Sequence, residues 1–270
     1  MHVRLIALIL FCLGSVTLAA PEHPAHAELI ADVAAVQPGS TFHLAVKLTM
    51  QPGWHVYWIN PGDSGLPTEV KFSAPGGYKV EFMGHPTPIE FDQPGNVVGY
   101  GYKESVMLVA LVTVPADAKP GAMLEFSASA KWLVCKDVCL PGKATVSLQL
   151  PVSETPAAAN LSAFADALDD LPTDASTHGT AGTKIDGDVH VLSLKWQEPV
   201  SNVQVFTAPG DAWTLGNLKY ETKDGVTEIR FSPKKLVKSA KPVEMTVVIA
   251  YDDAKGRRRS VKMTDRLGAE

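Results

Sequence analysis

Cysteine is scarce in this chain of 270 residues: there are three, and Cys12 falls within an apolar leader. So few exclude a small scaffold stapled by several disulfides. Charge is sparse too, at 20% of residues with a formal balance of -5. With no concentrated basic surface to neutralise phosphates, nucleic acid is not an expected partner. Beyond the first twenty residues no uninterrupted apolar run approaches the roughly 20 residues that a bilayer crossing needs, so no transmembrane segment is expected in the mature chain. Strand and helix patterns do not alternate, which excludes a doubly wound α/β fold. Biased repeats are missing as well, so a rod, a coiled coil or a disordered tail is excluded. Apolar residues, at 46%, are plentiful enough for one large core or two small ones.

The start of the chain is a separate object. His2 and Arg4 precede an apolar run from Leu5 to Leu13, and small residues follow through Ala19 and Ala20. That order is the signature of a secretory signal. Residues 1–19 are expected to be removed, with cleavage as late as Ala27 left open by the Ala25-His26-Ala27 triplet. Export leaves Cys135 and Cys139 in an oxidising compartment, where a disulfide is the default state.

Strand patterns dominate from Glu28 to Val152. Thr41–Thr49 alternates, with Phe42, Leu44, Val46 and Leu48 on one face. Val106–Val114 is almost wholly apolar, which suits a strand covered on both faces. Leu124, Phe126, Ala128, Ala130, Trp132 and Val134 alternate, as do Ala144, Val146, Leu148 and Leu150, so the two runs can pair as a hairpin with the cysteines near its tip. Pro/Gly turns between short strands indicate an antiparallel β-sandwich. From Ser153 to Lys184 the composition shifts: Thr155-Pro156 offers a helix start, Leu161, Phe164, Ala165 and Leu168 recur at helical spacing, and Thr173–Lys184 reads as a flexible connection. Strand-like runs resume at Val189–Trp196, Val203–Thr207, Thr227–Ser232 and Val243–Tyr251. The expected organisation is a domain over 28–152, a helix and linker over 153–184, and a second β-sandwich domain over 185–270.

Cys135 and Cys139 are the residues best placed to carry chemistry. A ring this short yields only about 2 kcal/mol by the chain-entropy account, so it is a poor staple. Short rings also constrain disulfide geometry, which favours a reducible pair. An inert hairpin clasp is the alternative. A third reading is soft-metal binding, copper included, with His23, His26, His43, His55 and His85 upstream; none is tightly spaced with the cysteines, and no metal or cofactor is expected. Lys131 and Lys136 favour a thiolate while Asp137 opposes it. Trp54, Tyr57, Trp58 and Trp132 read as sandwich core, the alternative for the Trp54–Trp58 segment being a wall beside the cysteine loop. Tyr100, Gly101 and Tyr102 can either cover the disulfide or form a bulged strand entry. Neither Ser64 nor Ser105 sits in a nucleophile elbow, which argues against a serine hydrolase.

Trp54–Trp58 through Gly65-Leu66-Pro67, Tyr100-Gly101-Tyr102, and above all Trp132–Gly142 with its Cys-Lys-Asp-Val-Cys centre resemble the periplasmic N-terminal domain of DsbD-type protein-disulfide reductases. The closest flavour is their suppressor-of-copper-sensitivity branch, ScsB-like. The resemblance implies an immunoglobulin-like domain in the periplasm that takes electrons from a membrane-embedded or thioredoxin-like donor and passes them to oxidised client proteins. It further implies Cys139 as the attacking thiol, Cys135 as the resolving one, and Tyr100, Gly101 and Tyr102 as a shielding loop. Two departures stand out. Better-known members have five residues between the cysteines instead of three, and they continue into membrane helices and a thioredoxin-like domain, so here a separate electron donor is expected.

Overall fold

The computed structural model describes residues 23–268. The expected signal and Cys12 lie outside the described residues.

The chain is built almost entirely from strands. The first group is β1 (Ala25–Ala31), β2 (Val33–Ala35), β3 (Thr41–Met50), β4 (His55–Gly62), β5 (Glu69–Ser73), β6 (Lys79–Phe82), β7 (Ile89–Gln93), β8 (Val97–Lys103), β9 (Ser105–Thr113), β10 (Met123–Cys135) and β11 (Cys139–Pro151). All but β2 form two facing sheets, β1-β3-β9-β6 and β11-β10-β4-β8-β7, with β5 added to β10. Alternation explains the layering: Phe42, Leu44, Val46 and Leu48 of β3 meet Phe126, Ala128, Ala130 and Trp132 of β10 in one buried cluster. The sandwich core therefore takes Trp58 and Trp132, as expected.

β9 is covered on both faces, and the structure supplies the second cover. After β12 (Ala157–Ala158) comes α1 (Leu161–Asp169), whose Phe164 and Ala167 pack on Ala45 and Val109 from outside the sandwich. The helix starts later than Thr155-Pro156 suggested. Ala157 and Ala158 pair with β2, and Asn160, at φ 50, stands at the helix N-cap. Strand pairing at a distance overrides the local helix signal there.

The chain continues through β13 (Thr173–Asp174), β14 (Gly179–Asp186), β15 (Val189–Trp196), β16 (Ser201–Ala208), β17 (Trp213–Lys223), β18 (Val226–Lys235), β19 (Val243–Asp252) and β20 (Arg258–Leu267). These make a second sandwich, β13-β20-β19-β16 against β14-β15-β18-β17. The all-β, immunoglobulin-like architecture thus holds in both halves. The Thr173–Lys184 stretch is not a flexible connection, since Gly179–Asp186 pairs residue by residue with β15. Its small polar side chains suit an edge strand as well as a loop, and composition does not separate the two.

Contacts between the halves are apolar and close. Phe206, Val248 and Ala250 belong to the same buried cluster as Trp58. The Phe206 ring meets Trp58 at 6.3 Å and Tyr100 at 5.3 Å between centroids. Asn60 Nδ2 donates to the Thr207 carbonyl at 2.6 Å, and Arg259 pairs with Asp169.

Candidate functional site

The cysteines sit at the tip of the longest hairpin. β10 and β11 pair without a break from Met123 opposite Pro151 to Cys135 opposite Cys139. The last pair is joined as a disulfide, with Cα atoms 4.2 Å apart. Lys136, Asp137 and Val138 close the turn, and the Lys136 N–H donates to the Val138 carbonyl at 3.1 Å. The Lys136 side chain lies across Gly53. A Cβ at Gly53 would stand 3.1 Å from Cε and Nζ of Lys136, and its φ of 83° already favours glycine. This packing anchors the tip to the turn before β4.

Exposure separates the two sulfurs. Cys135 is 1% exposed whereas Cys139 is exposed, flanked by exposed Val138 and Leu140. The period of two explains the setting. Along β10, Phe126 to Val134 at even positions point into the sandwich, so Leu133 and Cys135 point to the outer face of the sheet. Tyr57 of β4 and Phe91 of β7 join Cys135 and Leu133 there in a small separate apolar cluster. Tyr57, expected in the sandwich core with its neighbours, instead forms a wall beside the cysteine. A Cβ at Gly65 would stand 2.5 Å from its ring.

The expected shielding trio is a strand, not a loop over the sulfur. Tyr100, Gly101 and Tyr102 lie in β8, paired with β4 and β7. Tyr100 turns toward Phe206 of the other half, and Tyr102 enters the sandwich core, its hydroxyl donating to the Pro86 carbonyl at 2.9 Å. Neither ring is in the cluster around Cys135. Gly101 contributes through what it lacks: a Cβ there would stand 2.0 Å from the Val56 carbonyl oxygen. Gly99 plays a matching part, since a Cβ there would stand 2.5 Å from Phe91 and from Gln93 Nε2. The bare Gly99 position on β8 makes room for the Phe91 ring, while Gly101 makes room for the β4 backbone at Val56 and Tyr57. Phe91 and Gln93 carry no sequence motif. The available signal was the pair of glycines two apart in a strand, a pattern that marks close approach by a neighbour.

Polar groups thread this apolar cover. His55 is the residue of β4 opposite both Cys135 and Lys103. Its ring lies 4.3 Å from Phe91 and 5.2 Å from Tyr57 between centroids. Burial, with the Lys103 charge adding to it, holds the His55 imidazole below its ordinary pKa. Burial raises the Tyr57 phenol. The Tyr57 hydroxyl lies 3.4 Å from His55 Nε2 and donates to Gln93 Oε1 at 3.0 Å, while Gln93 Nε2 is buried without a partner. Lys103 Nζ stands 5.5 Å from the Phe91 centroid, within cation–π range.

The upstream histidines do not converge. His43 bonds Asp32 at 2.7 Å, His85 bonds the Thr68 carbonyl at 3.3 Å, and His23 edges against Trp132. Among the described residues no group of three or more His, Cys, Asp and Glu side chains is arranged to hold a metal ion. No helix among them is long and apolar enough to cross a membrane.

The geometry has counterparts. In fold, the N-terminal periplasmic domain of ScsB from Proteus mirabilis aligns with 92% of this chain and 96% of its own, at a TM-score of 0.60 and 18% identity. The sporulation control protein Spo0M from Bacillus subtilis and the E. coli chaperone DraB align at TM-scores of only 0.25 and 0.26, each with 10% identity. They cover 91% and 88% of this chain, and 91% and 98% of their own. No curated protein matches the chain. The sequence family described as thiol:disulfide interchange protein DsbD, N-terminal, matches residues 25–151, the span from the first residue of β1 to the last of β11. Over that span, the first sandwich is similar to the N-terminal domain of DsbD-type thiol:disulfide interchange proteins.

Proposed function

We propose that this chain is a periplasmic thiol–disulfide exchange module whose electrons are carried by Cys135 and Cys139. The observation that carries the reading is the unequal exposure of the two sulfurs. Exchange requires in-line attack on one sulfur while the other leaves. A donor thiolate attacks Cys139 Sγ, the Cys135–Cys139 bond breaks, and Cys135 leaves as a thiolate that takes up a proton. The donor's second thiol then attacks its own sulfur in the mixed disulfide and releases the dithiol form of this chain. Passing electrons on reverses the roles: the Cys139 thiolate attacks a client disulfide, and Cys135 resolves the intermediate, leaving the client reduced.

The apolar cover suits the resolving sulfur. An unpaired charge is costly beside Tyr57, Phe91 and Leu133, so Cys135 favours the protonated or bonded state over a free thiolate. That shortens the life of any intermediate in which it is ionised. The donor is a thioredoxin-like or membrane-embedded dithiol protein, and the clients are oxidised periplasmic proteins. Exchange is confined to the domain over 28–152, and the domain over 185–270 supports it. Signal cleavage after Ala19 keeps β1 whole, whereas cleavage after Ala27 would remove the pairs Ala25, His26 and Ala27 make with β3.

The test is a trapping experiment. Cys135→Ala mixed with an oxidised client should accumulate a mixed disulfide mapped by mass spectrometry to Cys139. Cys139→Ala, whose remaining thiol is buried, should form no mixed disulfide with the same client. A Cys139→Ala protein that traps the client as readily as Cys135→Ala, or a Cys135→Ala protein that never forms a mixed disulfide, sinks the proposal and leaves the bond as a structural clasp.

A further inference from the structure

A second feature lies away from the cysteines, where β10 changes partners. Its tip pairs with β4 through Val134 and Cys135, but Ser127–Lys131 pair with β5. Past Tyr57, β4 leaves β10 and runs on to the second sandwich, where Asn60 bonds Thr207. The splay opens a groove of about 1040 Å³ between the end of β4, β5 and the start of β17. That volume is at the top of the roughly 300–1,000 Å³ usual for small-molecule pockets, and the groove is open to solvent.

Three properties define what fits it. First, the walls are apolar and uncovered: Ile59 is 47% exposed, Leu218 36% and Leu236 60%, although all are large hydrophobic side chains. Such side chains gathered in one concavity mark a binding surface. Second, the lining charge is one-sided. Asp63, Glu69, Asp211 and Glu244 face a single lysine, Lys71, and the ion pairs among the described residues are made by other carboxylates. Third, the groove is bordered by strand edges with unused hydrogen-bonding capacity. β17 is the outermost strand of its sheet, and β5 pairs on one side only. Proteins usually blunt such edges with charge. The far half of β17 follows that rule with Lys219, Glu221 and Lys223, but Trp213–Leu218, the part bordering the groove, carries no charge. The strand also bulges between Gly216 and Lys219, which re-aims Leu218.

We infer that this groove binds an extended segment of a partner polypeptide, apolar and lysine- or arginine-bearing, that adds as a strand along the uncharged half of β17. Backbone pairing supplies affinity without sequence restriction, the apolar walls take alternate side chains, and the carboxylates select cationic ones. A protein presented in this way is at least locally unfolded, so the groove amounts to a peptide-holding site separate from the sulfurs. The inference does not rest on the exchange chemistry.

The test uses the full exported chain and a labelled short peptide of alternating valine and lysine, with a valine–glutamate peptide as control. Fluorescence anisotropy should show saturable binding of the first and none of the second, weakening as salt is raised. Hydrogen exchange should slow at the amides of Trp213–Leu218. Asp211→Lys with Glu244→Lys should weaken binding by at least about tenfold, as the removal of two attractive charges predicts. Ile59→Ser with Leu218→Ser, at exposed positions that the core does not need, should do the same without changing charge. A Cys135→Ala/Cys139→Ala protein should bind like the original, which separates this site from the redox reading. Absence of binding, equal binding of both peptides, or protection confined to residues outside the groove overturns the inference.

Discussion

The two sandwiches handle buried polar groups differently. In the C-terminal half they are paired: His190 and Asp265 bond at 2.6 Å across the space between its sheets, and Trp196 Nε1 donates to Thr227 at 2.8 Å. In the N-terminal half, Trp58 Nε1, Thr68 Oγ1, Gln93 Nε2 and Trp132 Nε1 are buried without partners. The N-terminal half also places apolar residues on the outside of a sheet, around Cys135. Unsatisfied buried polar atoms reduce stability. Under the proposed function, the N-terminal half is the working part and the other half its support.

That contrast can be tested, most forcefully at the joint. Phe206 comes from the supporting half and is buried in the core of the working half. Phe206→Ala should cost about 3–5 kcal/mol, as large-to-small changes in well-packed cores do. Denaturant unfolding should remain a single transition at lower midpoint. Two separate transitions, with the N-terminal one unmoved, would break the view that one half props the other.

A smaller effect is expected at Gly101. Its missing side chain lets β8 lie against Val56, so Gly101→Ala should destabilise by about 1–3 kcal/mol, the usual cost of overpacking. It should also displace Tyr57, which shares a cluster with Cys135, read as faster alkylation of Cys135 after reduction. Unchanged stability would show that β8 has more room than its register implies.

Phe91 itself offers a finer probe. Phe91→Leu keeps an apolar cover and should cost less than about 1.5 kcal/mol. Phe91→Ala uncovers Cys135 and should speed reduction of the disulfide by a small thiol, with the leucine variant between it and the original protein. Equal rates in all three would mean that Phe91 shields nothing.

The smallest expected effect is on pH dependence. Burial lowers the pKa of both His55 and His85, although the Thr68 carbonyl partly offsets this at His85. The unfolded chain then binds protons that the folded chain refuses. Stability from these groups is full above the ordinary imidazole pKa of 6.5 and is lost as pH falls through it toward the lowered folded values. His55→Gln should flatten the fall in denaturation midpoint between about pH 7 and pH 5, leaving the share of His85. A slope that does not change would place the titration elsewhere.

Much of this molecule was legible residue by residue. The alternation in Thr41–Thr49 and in the two runs flanking the cysteines gave the strands, their inward faces and the hairpin, because a period of two is a local property. Helix start and linker were misread where partners distant in sequence decided the outcome: β2 holds Ala157-Ala158 extended, and β15 recruits Gly179–Asp186 as a strand. At the site, the cysteine spacing is plain in the sequence, whereas Tyr100, Gly101 and Tyr102 read equally as a cover or as a strand entry, and in the structure they lie in β8. Tyr100 and Tyr102 stood out as aromatic residues. Phe91, on a neighbouring strand with no motif, joins the cluster around Cys135 because Gly99 leaves room for its ring.

The sequence by itself determined that the fold is all-β and that two sulfurs stand across a short turn, since composition, periodicity and loop length are carried by consecutive residues. Which sulfur faces solvent, what covers the other, and where β4 leaves β10 to open a groove were decided by the tertiary structure alone. Each depends on strands far apart in sequence meeting at one register, and register is a property of the assembled sheet.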